Sequence, residues 1–250
     1  MPPPRGCPAA RPLAALPLSP PGGLECGMSG ALRGVEVVSL DLNGTLVTRG
    51  YADYFWLELV PRAYAERWGL SFDEARRAVA AEYDRVGPGD LRWYLPEFWA
   101  RRLGLDVDVS ELVREAASRA EVYPDVPEAL ERLAEGFRLV VASNMPRGFA
   151  EAVVERVEEA VGRRVFERCF SCVSDLGIPR KEPAFYRYVC AEVGAPPARV
   201  LHVGDDVRYD YEAPLAAGLR ACLVDRSGEL GAAGVVAVRS LAELADLIAE

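Results

Sequence analysis

Short apolar runs alternate with amphipathic stretches along the chain after Met28. The runs are nearly continuous and rich in β-branched residues, which is typical of strands buried on both faces of a parallel sheet. In chain order the predicted strands span 35–40, 139–143, 170–174, 200–203, 221–224 and, at an edge, 235–238.

Amphipathic stretches between these strands predict helices over 126–135, 149–161, 183–193 and 241–248. Regular strand–helix alternation predicts the α/β class, with a doubly wound parallel sheet. In such a sheet, ligands bind beyond the carboxyl ends of the strands, where the strand order reverses. The search for chemistry therefore begins just after each predicted strand.

Residues 51–122 break the alternation because they read as helical throughout. A helical segment of this length predicts an inserted all-helical cap rather than a crossover, with a core formed by 28–50 and 123–250. Ser71 and Glu74 have the spacing of a capping box at the start of one cap helix. The cap is rich in aromatic residues, and their helical spacing favours packing inside the cap over contact with substrate.

Residues 1–27 are proline-rich and show no periodicity. Their one apolar stretch is shorter than the apolar core of a signal peptide, which spans about 7–15 residues. We expect this segment to be a disordered tail. The alternative is a mis-called start, with Met28 as the natural first residue.

Composition narrows the classes of partner. The formal net charge is −9 and half of the residues are hydrophobic. An acidic chain disfavours nucleic acid and anionic membranes as partners, and no apolar run approaches the ~20 residues of a membrane span. The six cysteines and the missing export signal favour the cytoplasm. Cys169 and Cys172 form a lone C-x-x-C, which we interpret as buried thiols rather than a zinc site or a redox pair.

Polar residues cluster just after the first four predicted strands. In chain order they are Asp41 and Asn43, Ser143 and Asn144, Lys181, and Asp205, Asp206 and Asp210. In a parallel sheet all of them lie at one edge. Lys181 is the only lysine in an arginine-rich chain, so its retention points to a specific role.

Four aspartates at one edge of a sheet need compensating positive charge to remain ionised. Oxygen ligands, with no histidine or thiolate among them, favour Mg²⁺. A carboxylate beside such an ion is the arrangement of aspartyl-phosphate chemistry, and Lys181 would hold an incoming anion as a point charge. Ser143 and Asn144 precede Pro146, which suits a helix start whose backbone N–H groups help to hold phosphate.

The ordered set D-L-N-G-T, S-N, K-x-P and G-D-D-x-x-x-D resembles the haloacid dehalogenase superfamily over residues 28–250. The resemblance implies that Asp41 is the nucleophile, and that it binds Mg²⁺ with the Asn43 carbonyl and Asp205. Ser143 and Lys181 would hold the phosphoryl group, assisted by Asn144.

The two remaining acids of the resemblance would complete or brace the metal site. We place Asp206 among the ligands and Asp210 behind it. The helical cap would close over small phosphorylated substrates.

Asn43 departs from the family pattern, because phosphatases of this family usually carry an aspartate there. That aspartate protonates the leaving alkoxide, and its loss costs about 10²–10⁴ in rate. The favoured interpretation is a magnesium-dependent hydrolase of a small phosphorylated metabolite, with a good leaving group or another proton source such as Tyr51. The alternatives are a 2-haloacid dehalogenase, whose chemistry needs no metal, and a catalytically impaired phosphate-binding module.

Three further residues near these motifs have plainer interpretations. His202 lies inside a predicted strand, so we expect a packed, hydrogen-bonded side chain rather than a catalytic base. Arg147 and Arg180 lie close in sequence to site residues, and either could touch substrate, but we favour solvated side chains for both.

Overall fold

A computed structural model describes residues 34–228 and 235–249. The segment 1–27 lies outside the described residues. The strands are β1 (Val37–Leu40), β2 (Arg138–Ser143), β3 (Phe166–Ser171), β4 (Val200–Gly204), β5 (Arg220–Val224) and β6 (Ala237–Val238). They form one sheet in the order β3-β2-β1-β4-β5-β6, and every pairing is parallel. The predicted parallel α/β fold is confirmed.

The helices between β1 and residue 118 form what we call the helical insertion, residues 50–117. It comprises α1 (Gly50–Tyr54), a π-helical turn (Phe55–Leu59), α2 (Val60–Trp68), α3 (Phe72–Val86), a 3-10 turn (Leu91–Tyr94), α4 (Pro96–Leu103) and α5 (Val109–Ala117). Ser71 and Glu74 form the expected capping box at the start of α3. Within the stretch predicted to be helical throughout, residues 91–103 are divided between the 3-10 turn and α4, because Pro96 begins a new helix at its first turn.

The remaining helices surround the sheet. They are α6 (Val126–Gly136), α7 (Arg147–Val161), α8 (Cys172–Leu176), α9 (Pro183–Val193), a 3-10 turn (Pro197–Arg199), a π-helical turn (Val207–Glu212), α10 (Ala213–Ala216) and α11 (Leu241–Ala249). Neighbouring residues of β1 point to opposite faces: Val38 packs in the cluster that contains α6 and α7, and Val37 in the cluster that contains α9. Helices on both faces explain why the central strands are apolar throughout.

The third strand differs from its prediction at 170–174. β3 ends at Ser171, and residues 172–176 form the short helix α8, whose first turn is capped by the Ser171 side chain. β3 lies at an edge of the sheet, and its first residues are largely exposed. An edge strand needs no continuous apolar run, so the apolar residues after it misled the prediction.

Aromatic side chains fill the helical insertion. Trp99 is 1% exposed, packs edge-on against Tyr83 with ring centroids 4.6 Å apart, and donates its indole N–H to the Trp93 carbonyl. Phe55 packs edge-on against Phe149 of α7 at 5.1 Å, which joins the insertion to the core. These rings therefore serve the packing expected from their helical spacing.

None of the described helices combines the length and the apolar character that crossing a lipid bilayer requires.

Replacing Trp99 by alanine is expected to lower the free energy of unfolding by about 3–5 kcal/mol, because it leaves a cavity under Tyr83. The matched control is Trp68→Ala: Trp68 is 52% exposed and donates one hydrogen bond to the Leu103 carbonyl. Its loss is expected to cost about 1 kcal/mol. Urea unfolding followed by circular dichroism measures both values, and equal losses would contradict this packing.

Candidate active site

The order of the strands determines where the candidate site lies. β1 pairs with β2 on one side and with β4 on the other, so the direction of strand order reverses at β1. Asp41 directly follows β1, and its backbone N–H donates to the Val203 carbonyl at 2.9 Å. Its side chain is therefore fixed at the carboxyl end of the central strand, the usual ligand position in such sheets.

Two glycines allow carboxylates to approach the backbone closely. Gly44 has φ +86°, and a Cβ there would collide with the Asp205 carboxylate. A Cβ on Gly204 would likewise collide with Asp210. Both motif glycines are thus required by the packing of the acidic side chains around Asp41, which explains the G-T and G-D-D patterns physically.

A buried ammonium joins two of the acids. Lys181 Nζ lies 2.6 Å from Asp41 Oδ1 and 2.5 Å from Asp210 Oδ1, and all three side chains are buried. Burial opposes a charged lysine, but attraction by Asp210 and Asp41 outweighs burial and holds the pKa of Lys181 above its usual range. The lysine therefore remains a cation between two carboxylates.

Asp210 is held from several sides. His202 Nε2 lies 3.0 Å from Asp210 Oδ1, and the Asp206 backbone N–H donates to Asp210 Oδ2 at 3.1 Å. Burial would raise the pKa of Asp210, but Lys181 and His202 hold it well below its usual range. His202 also contacts Ser39 Oγ at 3.0 Å, and burial lowers its pKa, so it is the neutral, packed residue that the sequence predicted.

Asp205 and Asp206 have different surroundings although they are neighbours. Asp205 Oδ2 forms an ion pair with Arg49 at 2.5 Å, and burial raises the pKa of Asp205. Asp206 Oδ1 instead accepts the backbone N–H groups of Arg208 and Tyr209, both at 2.9 Å, and so begins the π-helical turn after β4. The structure thus brings Asp205 to the site and uses Asp206 as a helix cap.

Among the described residues, Asp41, Asp205 and Asp210 form the one acidic group in which an oxygen of each lies within 4.8 Å of the others. Burial raises the pKa of Asp41 to about 6, against the opposing effect of Lys181. Carboxylate oxygens are ligands that suit Mg²⁺, and binding of Mg²⁺ by this group stays a prediction. Asp210 stands in this group where the sequence analysis placed Asp206.

The Asn43 side chain is fully occupied by contacts. Its Oδ1 accepts the hydroxyl of Tyr51, and its Nδ2 lies 3.4 Å from Met145 Sδ. Tyr51 is 1% exposed, and burial holds its pKa above its usual range, so it remains a neutral phenol. Asn43 therefore connects the nucleophile loop to the first helix of the insertion. Metal binding by its main-chain carbonyl stays a prediction.

The loop after β2 lies beside this group. Ser143 is buried, and its Oγ accepts the backbone N–H of Met145 at 3.2 Å, while Asn144 is partly exposed. The Arg147 backbone N–H at the start of α7 donates to Ser174 Oγ at 2.9 Å. One of the backbone N–H groups expected to hold phosphate at this helix start is therefore already hydrogen-bonded to another residue of the protein.

The arginines near the motifs are not simply solvated. Arg147 pairs with Asp175 and donates to the Cys169 carbonyl, which ties α7 to β3. Arg180 donates to the Pro88 carbonyl and lies over the rings of Tyr94 and Tyr209, each at 5.5 Å. Arg147 is nevertheless exposed, as the sequence led us to expect, and Arg180 is partly exposed.

The C-x-x-C pair holds ordinary thiols. Cys169 and Cys172 are unbridged, and burial raises the pKa of both to about 12. Neither belongs to the acidic group at the sheet edge. These features fit buried structural thiols.

Known proteins resemble the chain along most of its length. It is 28% identical to the GMP/IMP nucleotidase YrfG of Escherichia coli K12 over 195 residues, which cover 77% of this chain and 84% of that protein. It is 26% identical to (S)-2-haloacid dehalogenase 4A of Burkholderia cepacia over 180 residues, 70% of this chain and 66% of that protein.

A solved structure shares the fold. The HAD phosphatase from Thermococcus onnurineus superposes with a TM-score of 0.70 at 22% identity, over 86% of this chain and 98% of that one. The sequence model of the haloacid dehalogenase-like hydrolases matches residues 35–218, a range that contains Asp41, Lys181 and Asp205. Since this match takes in most of the chain and the residues gathered at the sheet edge, the chain belongs to the haloacid dehalogenase-like hydrolase family.

Proposed function

We propose that this hydrolase is a magnesium-dependent phosphatase of small phosphorylated metabolites, with purine nucleoside monophosphates as the first substrates to test. The proposal depends on one observation: Asp41, Asp205 and Asp210 converge at the edge of the sheet, where Lys181 pairs with Asp41 and Asp210. The relative named GMP/IMP nucleotidase supports this substrate class. A metal-free 2-haloacid dehalogenase would not need the second and third carboxylates.

Asp41 would act as the nucleophile. Lys181 meets Asp41 at Oδ1, so we assign attack on phosphorus to Oδ2. Attack forms an aspartyl-phosphate and releases the alcohol, and water then hydrolyses the acyl phosphate to restore Asp41. Asp41, Asp205 and Asp210 would hold Mg²⁺, which would offset the charge of the phosphate oxygens. Lys181 would fix the orientation of Asp41 and attract the phosphate.

The proton for the leaving alkoxide is the weak point of this site. Asn43 has no acidic proton, and Tyr51 donates its own to Asn43 Oδ1. We therefore propose a phosphatase whose rate depends strongly on the leaving group: slow on alkyl phosphates, which include GMP and IMP, and faster on phosphates of acidic alcohols. A protein that binds phosphate but turns over none of these substrates would be the catalytically impaired phosphate-binding module.

Residues 51–122 would act as the cap over a core of 28–50 and 123–250. Tyr51 supports this assignment, because it reaches from the first helix of the insertion to the loop that holds Asp41. Ser143 and Asn144 would line the phosphate position from the other side. A cytoplasmic location belongs to the proposal, since the four described cysteines are all free thiols.

A substrate screen with GMP, IMP, other phosphorylated metabolites and 2-haloacids tests the reaction class. We expect phosphate release that depends on Mg²⁺ and falls to background in Asp41→Asn, because an amide cannot form the acyl phosphate. Halide release without metal would instead support the dehalogenase. Phosphate binding by calorimetry without turnover would support the impaired module.

Neighbouring aspartates provide a matched test of the metal ligands. Asp205→Asn is expected to weaken Mg²⁺ binding at least tenfold, because it removes a charged ligand oxygen. Asp206→Asn is expected to change it less than about twofold, since asparagine caps a helix as well as aspartate does. Calorimetric titration of metal-free protein measures both, and the reverse ranking would restore the sequence-based assignment of Asp206.

Asn43→Asp is expected to raise kcat on GMP by about 10²–10⁴, because it supplies the missing general acid. Turnover of 4-nitrophenyl phosphate, whose leaving group needs no protonation, should rise much less. Steady-state kinetics on the two substrates gives the comparison. An equal rise on both, or none on GMP, would show that proton transfer does not limit the rate.

A further inference from the structure

Arg49 occupies an unusual position at the junction of core and insertion. It directly precedes α1, and its side chain makes no capping hydrogen bond to that helix. Its Nη2 instead lies 2.5 Å from Asp205 Oδ2, across the mouth of the site. No sequence motif marked this residue, because one arginine among many carries no distinctive signal.

The charges of the acidic group divide between two cations. Lys181 pairs with Asp41 and Asp210, whereas Asp205 pairs with Arg49. Each of the three carboxylates therefore has a cationic partner without any metal. Arg49 thus supplies positive charge to Asp205, the carboxylate that does not pair with Lys181.

The two cations differ in how easily they can leave. The Lys181 side chain is 5% exposed, while that of Arg49 is 62% exposed. An ion pair with an exposed cation is held less firmly than a fully buried pair, so the Arg49 guanidinium can turn into solvent more easily than the Lys181 ammonium. Lys181 cannot leave in this way, because its removal would deprive two buried carboxylates of the ammonium that balances their charge.

A divalent cation bound by Asp205 would compete with Arg49 for the same carboxylate. Mg²⁺ binds its oxygen ligands at about 2.0–2.1 Å in a strict octahedral geometry. A guanidinium hydrogen-bonded to the Asp205 carboxylate therefore obstructs the approach of Mg²⁺ to that carboxylate. We propose that Arg49 is the resident counter-cation of Asp205, which a divalent metal must displace, so that Arg49 tunes the metal affinity of the site. The inference rests on the metal site of the proposed function.

Calorimetric titration of MgCl₂ and MnCl₂ into the metal-free full chain, with no substrate present, tests the exchange. Arg49→Gln is expected to tighten binding about fivefold, because it removes the competing cation, whose pairing is worth at most about 1 kcal/mol. Arg49→Lys, which keeps the charge, should stay near the wild type. Circular dichroism checks that each variant is folded.

Arg208→Gln is the matched control. Arg208 is an exposed arginine three residues after Asp205, and its side chain lies over the Tyr209 ring rather than on a carboxylate of the group. Its loss should change affinity less than about twofold, because general electrostatics at an exposed site are screened. Equal tightening in both glutamine variants, or weaker binding in Arg49→Gln, would overturn the exchange.

The same titration separates the two proposals. Binding that is tight in the wild type and unchanged in Arg49→Gln overturns the exchange and leaves the proposed phosphatase standing. No binding of either metal to any variant overturns both.

Discussion

The buried ammonium of Lys181 between Asp41 and Asp210 is the interaction on which the rest of the site depends. Burying an ion costs several kcal/mol, and removing one partner of such a pair leaves an uncompensated charge. The protein meets this cost with further bonds: His202 and the Asp206 backbone N–H hold Asp210 in place. The lysine can then hold the carboxylate of Asp41, the proposed nucleophile, in one orientation without moving itself.

The topology of the sheet makes this arrangement attainable from residues far apart in sequence. β1 and β4 are neighbours in the sheet, so Asp41 and the G-D-D segment meet although more than 160 positions separate them. Lys181, which lies beyond α8, stood out in the sequence as the only lysine. Parallel strands place the loops that follow them at one edge, which is why the ends of the predicted strands pointed to Asp41, Asp205 and Asp210. The alternation of apolar runs was sufficient evidence for that step.

Finer assignments failed where local geometry decides. Asp205, Asp206 and Asp210 are equivalent by residue type, and spacing does not say which carboxylates turn inward. The π-helical turn after β4 decides it, because Asp206 caps that turn and Asp210, which lies within the turn, pairs with Lys181. β3 was misplaced for a related reason: at an edge, exposure replaces the apolar pattern that marks a central strand.

In the proposed mechanism, holding phosphate and transferring a proton are separate functions of the site. The Asn43 side chain forms its hydrogen bonds with Tyr51 and Met145 rather than with the three carboxylates or Lys181. A carboxylate there would still accept the Tyr51 hydroxyl, so the packing that holds the amide would also accommodate an acid. The residue at this position can therefore change the chemistry of the leaving group while the anion-binding framework stays intact.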